Sequence, residues 1–161
     1  MRLFVAALLP PDVVVALDAL DRPARDGVRW TTREQWHVTL RFLGDVADPS
    51  PVEVALRDAV LPPARALLGP TVTALSNAIL CAPVAGLDGL AAAVVEATRD
   101  LGAPPDARPF RGHVTLARAA RGGARRLVGS AIASSWDVDQ VALVRSHLGR
   151  AGARYEVLAS F

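Results

Sequence analysis

His37-Val38-Thr39-Leu40 and His113-Val114-Thr115-Leu116 are the same tetrapeptide, written twice in a chain of 161 residues. The chain holds three histidines, and two of them open these units. Polar and apolar residues alternate within the unit, which is the period of a strand with one buried face. Val and Leu then face a core, while His and Thr face the other side together. Two such strands put two imidazoles and two hydroxyls on one surface. Imidazole both takes and gives protons near neutral pH, and the threonine hydroxyl is a neutral hydrogen-bond donor. This is equipment for acid–base chemistry on an oxyanion such as a phosphate.

The repeat extends past the tetrapeptides. Sliding the chain by 76 residues, from 37 to 113, lays Leu3-Phe4-Val5-Ala6-Ala7 on Ile79-Leu80-Cys81-Ala82-Pro83. Both runs read as buried strands. The same shift lays Asp12 on Asp88. Each opens an apolar stretch, 12–21 and 88–101, and each is expected to cap a helix. The halves therefore share an order of strand, helix and His-strand, which predicts a pseudo-symmetric molecule with one lobe per repeat. Thr31-Thr32-Arg33-Glu34 resembles a capping box. Residues 126–134 read as a short helix, and 140–146 and 153–158 as a hairpin turning through 148–152. Strands outnumber what a doubly wound sheet needs. The reading is α+β, with antiparallel or mixed sheets, in one bilobed domain over 1–161.

Composition narrows the function classes. Hydrophobic residues make up 52% of the chain, enough for a substantial core. No apolar run approaches the roughly 20 residues of a membrane helix. Residues 1–10 look like a signal peptide only superficially, so no membrane partner and a cytoplasmic monomer are expected. Cys81 is the single cysteine and lies in an apolar run, where a buried thiol is expected. No zinc-ligand spacing is present, and no metal or other cofactor is expected. Lysine is absent, and the net charge is +2, too small to announce a nucleic-acid binder. The local pattern is more telling. Arg108, Arg111, Arg118, Arg121, Arg125 and Arg126 bracket the second tetrapeptide, with Asp106 nearby to offset them. They read either as a solvated basic loop or as a rim that attracts phosphate.

In their wider context the two units resemble a known family. His37-Val-Thr-Leu-Arg-Phe-Leu-Gly44 and Pro109-Phe-Arg-Gly-His-Val-Thr-Leu-Ala-Arg118 are similar to the two signature motifs of the two-histidine phosphoesterases. Within that superfamily the chain most resembles the RNA 2′,3′-cyclic phosphodiesterases, historically called 2′-5′ RNA ligases. The likeness takes in the opening Arg2 to Ala6 and the stretch from Ser146 to Tyr155. It implies two pseudo-symmetric α+β lobes around a central cleft, helices outside, with one HxT from each lobe facing inward. It implies metal-independent hydrolysis of RNA 2′,3′-cyclic ends to 2′-phosphates, with RNA or an oligonucleotide as partner and ligation as the reverse reaction. His37 would be the general acid and His113 the general base, a pair that near-symmetry allows to be swapped. Thr39 and Thr115 would donate to the phosphate oxygens, and Arg118 would contact the substrate. The family commonly has proline before the second histidine, where this chain has Gly112, which should loosen the approach to the strand.

Other readings bear on single residues. Simple alternation puts Arg118 on the face away from His113, unless the strand bulges after Leu116. It puts Arg41 on the His37 face, where a solvated surface arginine is expected. Phe4, Trp30 and Phe110 could stack a base, with core packing the simpler role. Packing is also the simpler role for Trp36, Trp136 and Tyr155, and His147 is expected to be exposed. Two alternative functions fit the same motifs: a phosphodiesterase acting on a small cyclic nucleotide, and an RNA-binding module without catalysis. Matched imidazoles argue against the second.

Overall fold

The computed structural model describes residues 1–120, 128–149 and 152–161. Its elements run β1 (Arg2–Leu8), α1 (Pro11–Asp18), β2 (Val28–Trp30), a 3₁₀ turn (Arg33–Gln35), β3 (His37–Asp45), α2 (Ser50–Asp58) and β4 (Ala64–Leu68). Then come β5 (Thr73–Ser76), β6 (Ile79–Ala85), α3 (Asp88–Ala97), β7 (His113–Ala119), β8 (Ser134–Val138), β9 (Ala142–Gly149) and β10 (Gly152–Ser160). Every pairing among these strands is antiparallel. The fold is α+β with a large antiparallel sheet, as the sequence suggests.

The strand order is β10-β9-β1-β3-β7-β6-β4-β8, with β2 beside β7 and β5 beside β6. It is a palindrome about the β3–β7 junction. There the paired residues are Val38 and Val114, the same position of the two tetrapeptides. A pseudo-two-fold axis therefore passes between them. The halves of the chain are interleaved rather than stacked side by side. β1 of the first half pairs with β9 of the second, and β4 of the first pairs with β6 of the second. The helices cross over too: α3 packs on β3 and α1 on β8. One lobe per repeat is thus corrected, since each lobe draws elements from both repeats.

Local details differ from the sequence reading for identifiable reasons. Asp12 and Asp88 lie inside the first turns of α1 and α3, and the capping positions belong to Pro10 and Leu87. There the acids favour the helix through its dipole rather than by capping. The box at the 3₁₀ turn is shifted by one residue: the Thr32 backbone N–H donates to Gln35 Oε1 at 3.0 Å. The helix read over 126–134 is not formed where it can be followed. Residues 126 and 127 lie outside the described residues, 128–129 form a turn, Ala131 bridges to Thr71, and Ser134 begins β8. The hairpin of β9 and β10 is present, with Arg150 and Ala151 of its turn outside the described residues.

Two matching irregularities decide which side chains reach the site. Pairing of β1 with β3 slips between Val5 and Ala6, which face Arg41 and Thr39, so Leu40 is the extra residue. Pairing of β6 with β7 slips between Leu80 and Cys81, which face Ala117 and Thr115, so Leu116 is the extra residue. Each tetrapeptide therefore ends on a β-bulge. Beyond the bulge the alternation of faces is reversed. Leu40 and Arg41 are both buried, and Phe42 is exposed; Leu116 and Ala117 are both buried, and Arg118 is exposed.

The main core lies on one side of the sheet, built from residues such as Leu3, Val5, Leu17, Val38, Leu56, Leu80, Val94, Val114 and Leu143. A smaller cluster of Phe4, Ala6, Ala142 and Val144, joined by Tyr155, lies apart from it. Phe4 and Ala6 alternate with the core residues Leu3, Val5 and Ala7 along β1, so this cluster is on the opposite face, the face of the histidines. No helix among the described residues is long and apolar enough to cross a membrane.

Candidate active site

Val38 and Val114 are fully buried in the core. Their neighbours in sequence therefore point the other way, and His37, Thr39, His113 and Thr115 share one face across the pseudo-axis. All four are partly buried. The structure brings together the four residues singled out in the two tetrapeptides.

Each imidazole is held by the backbone two residues before it. His113 Nδ1 lies 2.7 Å from the Arg111 carbonyl oxygen, to which it donates, and this leaves Nε2 as the free nitrogen. His37 has the corresponding interaction with the Gln35 backbone. His37 Nε2 lies 3.1 Å from the Thr39 hydroxyl, within hydrogen-bond distance. The surroundings of the two rings differ. His37 stacks on Phe4 with ring centroids 4.7 Å apart, and Tyr155 meets it edge-on at 4.9 Å. Burial against these rings holds the His37 imidazole down at about 4, opposed by the Gln35 backbone and helped by repulsion from His113.

A buried corner ties the two tetrapeptides together. The Thr31 hydroxyl bonds the carbonyl oxygens of Thr115 and Leu116 at 2.7 and 2.9 Å. It accepts from Trp36 Nε1 at 2.9 Å. Trp36 precedes His37, so the entry to β3 is fixed directly on the bulge of β7. Thr31 had no sequence signal beyond its place in a polar turn. Phe4 and Tyr155 also touch the site, and for these the signal was the repeat register and the C-terminal resemblance.

Arg118 is exposed, and the bulge at Leu116 turns it to the face of His113. The same device overturns the expectation for Arg41. That side chain is not solvated but buried, at 4% exposure, on the core side. Its guanidinium donates to the carbonyls of Val95, Leu101 and Ala103 at 3.1–3.2 Å, closing the C-terminal end of α3. Gly112 does not loosen the approach to β7. Its carbonyl accepts from Val84 N–H at 2.8 Å, and a Cβ there would lie 2.3 Å from the Val84 carbonyl oxygen. The glycine permits a close packing that a larger residue would block.

The remaining residues sort plainly. Trp36 and Trp136 are buried, and Trp30 and Phe110 pack against the core. His147 is partly exposed and pairs with Glu156 at 2.8 Å. Arg108 is engaged by Asp106 at 2.6 Å, and Arg111 is exposed. Arg121, Arg125 and Arg126 lie outside the described residues. Cys81 is buried, and burial pushes its thiol up despite the positive charge of Arg111. Among the described residues no three His, Cys, Asp or Glu side chains gather as a metal site.

Residues 9–64 match the family model described as LigT-like phosphoesterase. An RNA 2′,3′-cyclic phosphodiesterase of Geobacillus stearothermophilus is 29% identical over an alignment covering 98% of this chain. The chain spans 56% of that relative's length. The crystal structure of TT0787 from Thermus thermophilus superposes with a TM-score of 0.83 at 31% identity, covering 100% of this chain and 97% of that one. Apo LigT of E. coli superposes with a TM-score of 0.77 at 25% identity, covering 99% and 95%.

Proposed function

The chain belongs to the LigT-like family of two-histidine phosphoesterases, and on that premise we propose that it hydrolyses 2′,3′-cyclic phosphodiester ends of RNA to 2′-phosphomonoesters. The observation that supports this reading best is the pair of imidazoles on one face at the pseudo-axis, each held by the backbone two residues before it. Water attacks phosphorus in line with the departing O3′. One imidazole takes the proton of water as the new P–O bond forms. The other gives a proton to O3′ as the old P–O bond breaks. The hydroxyls of Thr39 and Thr115 donate to the non-bridging oxygens, where charge builds up. A 5′-hydroxyl taking the place of water in the same steps gives up its proton to the base and forms a 2′-5′ phosphodiester as O3′ leaves.

In this proposal His37 is the acid and His113 the base, as the family resemblance implies. The swapped assignment has one observation in its favour. His37 is held at about 4, so it is neutral at neutral pH in the free protein and equipped to accept a proton. An anionic phosphate beside Nε2 pulls in the opposite direction and favours the protonated ring. The test is to offer oligoribonucleotides and mononucleotides with 2′,3′-cyclic ends, with and without EDTA, and identify the product isomer. A 2′-phosphate, formed equally with chelator, is expected. Absence of hydrolysis on every cyclic end would refute the proposal.

A further inference from the structure

Gln35 and Arg111 hold equivalent places about the pseudo-axis, each two residues before a histidine of the pair. The backbone of each holds its imidazole. Their side chains differ. Arg111 is exposed. The Gln35 carboxamide is bonded at both ends: Oε1 accepts from the Thr32 backbone N–H at 3.0 Å, and Nε2 donates to the Ala153 carbonyl oxygen at 2.6 Å. An N–H on one side and a carbonyl on the other fix which way the amide points. The second bond spans 118 residues of chain, from the turn before β3 to the start of β10. Arg29 reinforces it, since a Cβ on the neighbouring Gly152 would lie 2.7 Å from Arg29 Nη1. The strand tied down in this way carries Tyr155, two residues beyond Ala153. Tyr155 meets His37 edge-on at 4.9 Å and Phe4 at 5.2 Å between centroids. No aromatic ring packs on His113 among the described residues. The two imidazoles are therefore alike in their backbone support and unlike in their cover.

We propose that Gln35 is the positioning residue that makes His37 the enclosed imidazole of the pair. Its backbone orients the ring, and its carboxamide clamps β10 so that Tyr155 stays across the ring. Arg111 performs only the first of these tasks for His113. One side chain thus makes a nearly symmetric site asymmetric. A ring covered by Phe4 and Tyr155 meets little water, so a proton on it is poorly solvated. Other charges around the ring are few. β7 brings His113, which repels a proton on His37, and further along it the exposed Arg118. β10 brings the Tyr155 phenol, β2 brings Arg29 beside Gly152, and β1 brings the uncharged Phe4. In the turn itself Arg33 is engaged by Asp18, and Glu34 is exposed. Releasing β10 changes the water around His37 and leaves these charges in number as they are. The catalytic consequence rests on the phosphodiesterase reading above, in which unequal surroundings tell the acid from the base.

The experiment is an NMR titration of the His37 and His113 ring resonances in the full chain. Gln35→Met keeps the backbone and the length of the side chain and removes both carboxamide bonds. The His37 midpoint, about 4 in the wild type, should rise by about one pH unit or more toward the ordinary 6.5. The His113 midpoint should move much less. An unmoved His37 midpoint, or equal movement of both rings, would overturn the assignment. Tyr155→Ala uncovers the ring directly and should raise the same midpoint. If it does so while Gln35→Met does not, the cover is real but Gln35 does not hold it, and the proposal fails. Gln35→Asn, too short to keep both bonds, carries the same test should Gln35→Met not fold. Hydrolysis is read separately, on a cyclic mononucleotide. In Gln35→Met the limb of kcat/KM near 4 should follow the NMR midpoint. A limb that stays put would remove Gln35 from the reaction. If the wild type opens no cyclic end, the hydrolysis reading fails, and the ring titration still decides whether Gln35 encloses His37.

Discussion

Val38 faces Val114 across the pseudo-two-fold axis, and antiparallel pairing there sets each histidine beside the threonine of the other strand. His37 falls next to Thr115 and His113 next to Thr39. In the proposed mechanism one imidazole and one hydroxyl from each strand approach a phosphate on the axis. Removing either imidazole leaves an acid without a base or a base without an acid.

His37→Ala and His113→Ala should each reduce hydrolysis of a cyclic end by about 100-fold or more, with the melting transition retained. Thr39→Val and Thr115→Val remove a neutral hydrogen bond and should cost less, on the order of 10-fold. Initial-rate measurements on a cyclic mononucleotide suffice. Near-normal turnover in either histidine variant would end the paired mechanism.

The pH profile distinguishes the two assignments of acid and base, because kcat/KM reports groups of the free enzyme. His37 is at about 4 there. A base must be unprotonated, so if His37 is the base, kcat/KM climbs as pH rises through about 4. An acid must be protonated, so if His37 is the acid, kcat/KM declines as pH rises past about 4. The limb near 4 should vanish in His37→Ala under either assignment. In kcat the same limb should move up, since the bound phosphate favours the charged ring.

Arg41 is a structural cation. Arg41→Met keeps most of the apolar stem but leaves the carbonyls of Val95, Leu101 and Ala103 without their donor. Each orphaned buried acceptor costs about 1–3 kcal/mol, so an overall loss of about 2–4 kcal/mol is expected after relaxation. Urea unfolding would show a lower midpoint at an unchanged slope. A variant as stable as the parent would mean that water satisfies these carbonyls.

Gly112→Ala tests the close packing before His113. The added methyl meets the Val84 carbonyl oxygen, which is backbone and cannot swing aside. The start of β7 must shift, so kcat should fall together with stability, because His113 follows directly. Should the variant melt and turn over like the parent, β7 would have room that the close approach at Val84 denies.

How much of this was legible in the sequence depended on what alternation can reveal. His37, Thr39, His113 and Thr115 precede their bulges, so a simple period of two places them correctly. Arg41 and Arg118 follow the bulges, and the same rule assigns both to the wrong face unless an extra residue is allowed. Nothing in Leu40 or Leu116 marks the bulge, since a leucine suits a regular strand as well. The repeat at an offset of 76 brought out the equivalence of the two His-strands. The partner strands match at an offset of 75, Phe4 on Ile79, because pairing rather than identity sets their register. β8 escaped detection because Ser134-Ser135-Trp136-Asp137-Val138 has one large apolar residue and reads as a loop without its partner β4.

The interleaving of the halves also governs when the His37 wall is completed during synthesis. β1 is made long before its partner β9, which begins at Ala142. Tyr155, which covers His37, follows later still. β1 must wait for every element between the two with one edge unpaired, a period in which it can join a wrong partner. Circularly permuted chains that bring β9 and β10 ahead of β1 would shorten that wait without altering a single contact in the finished site.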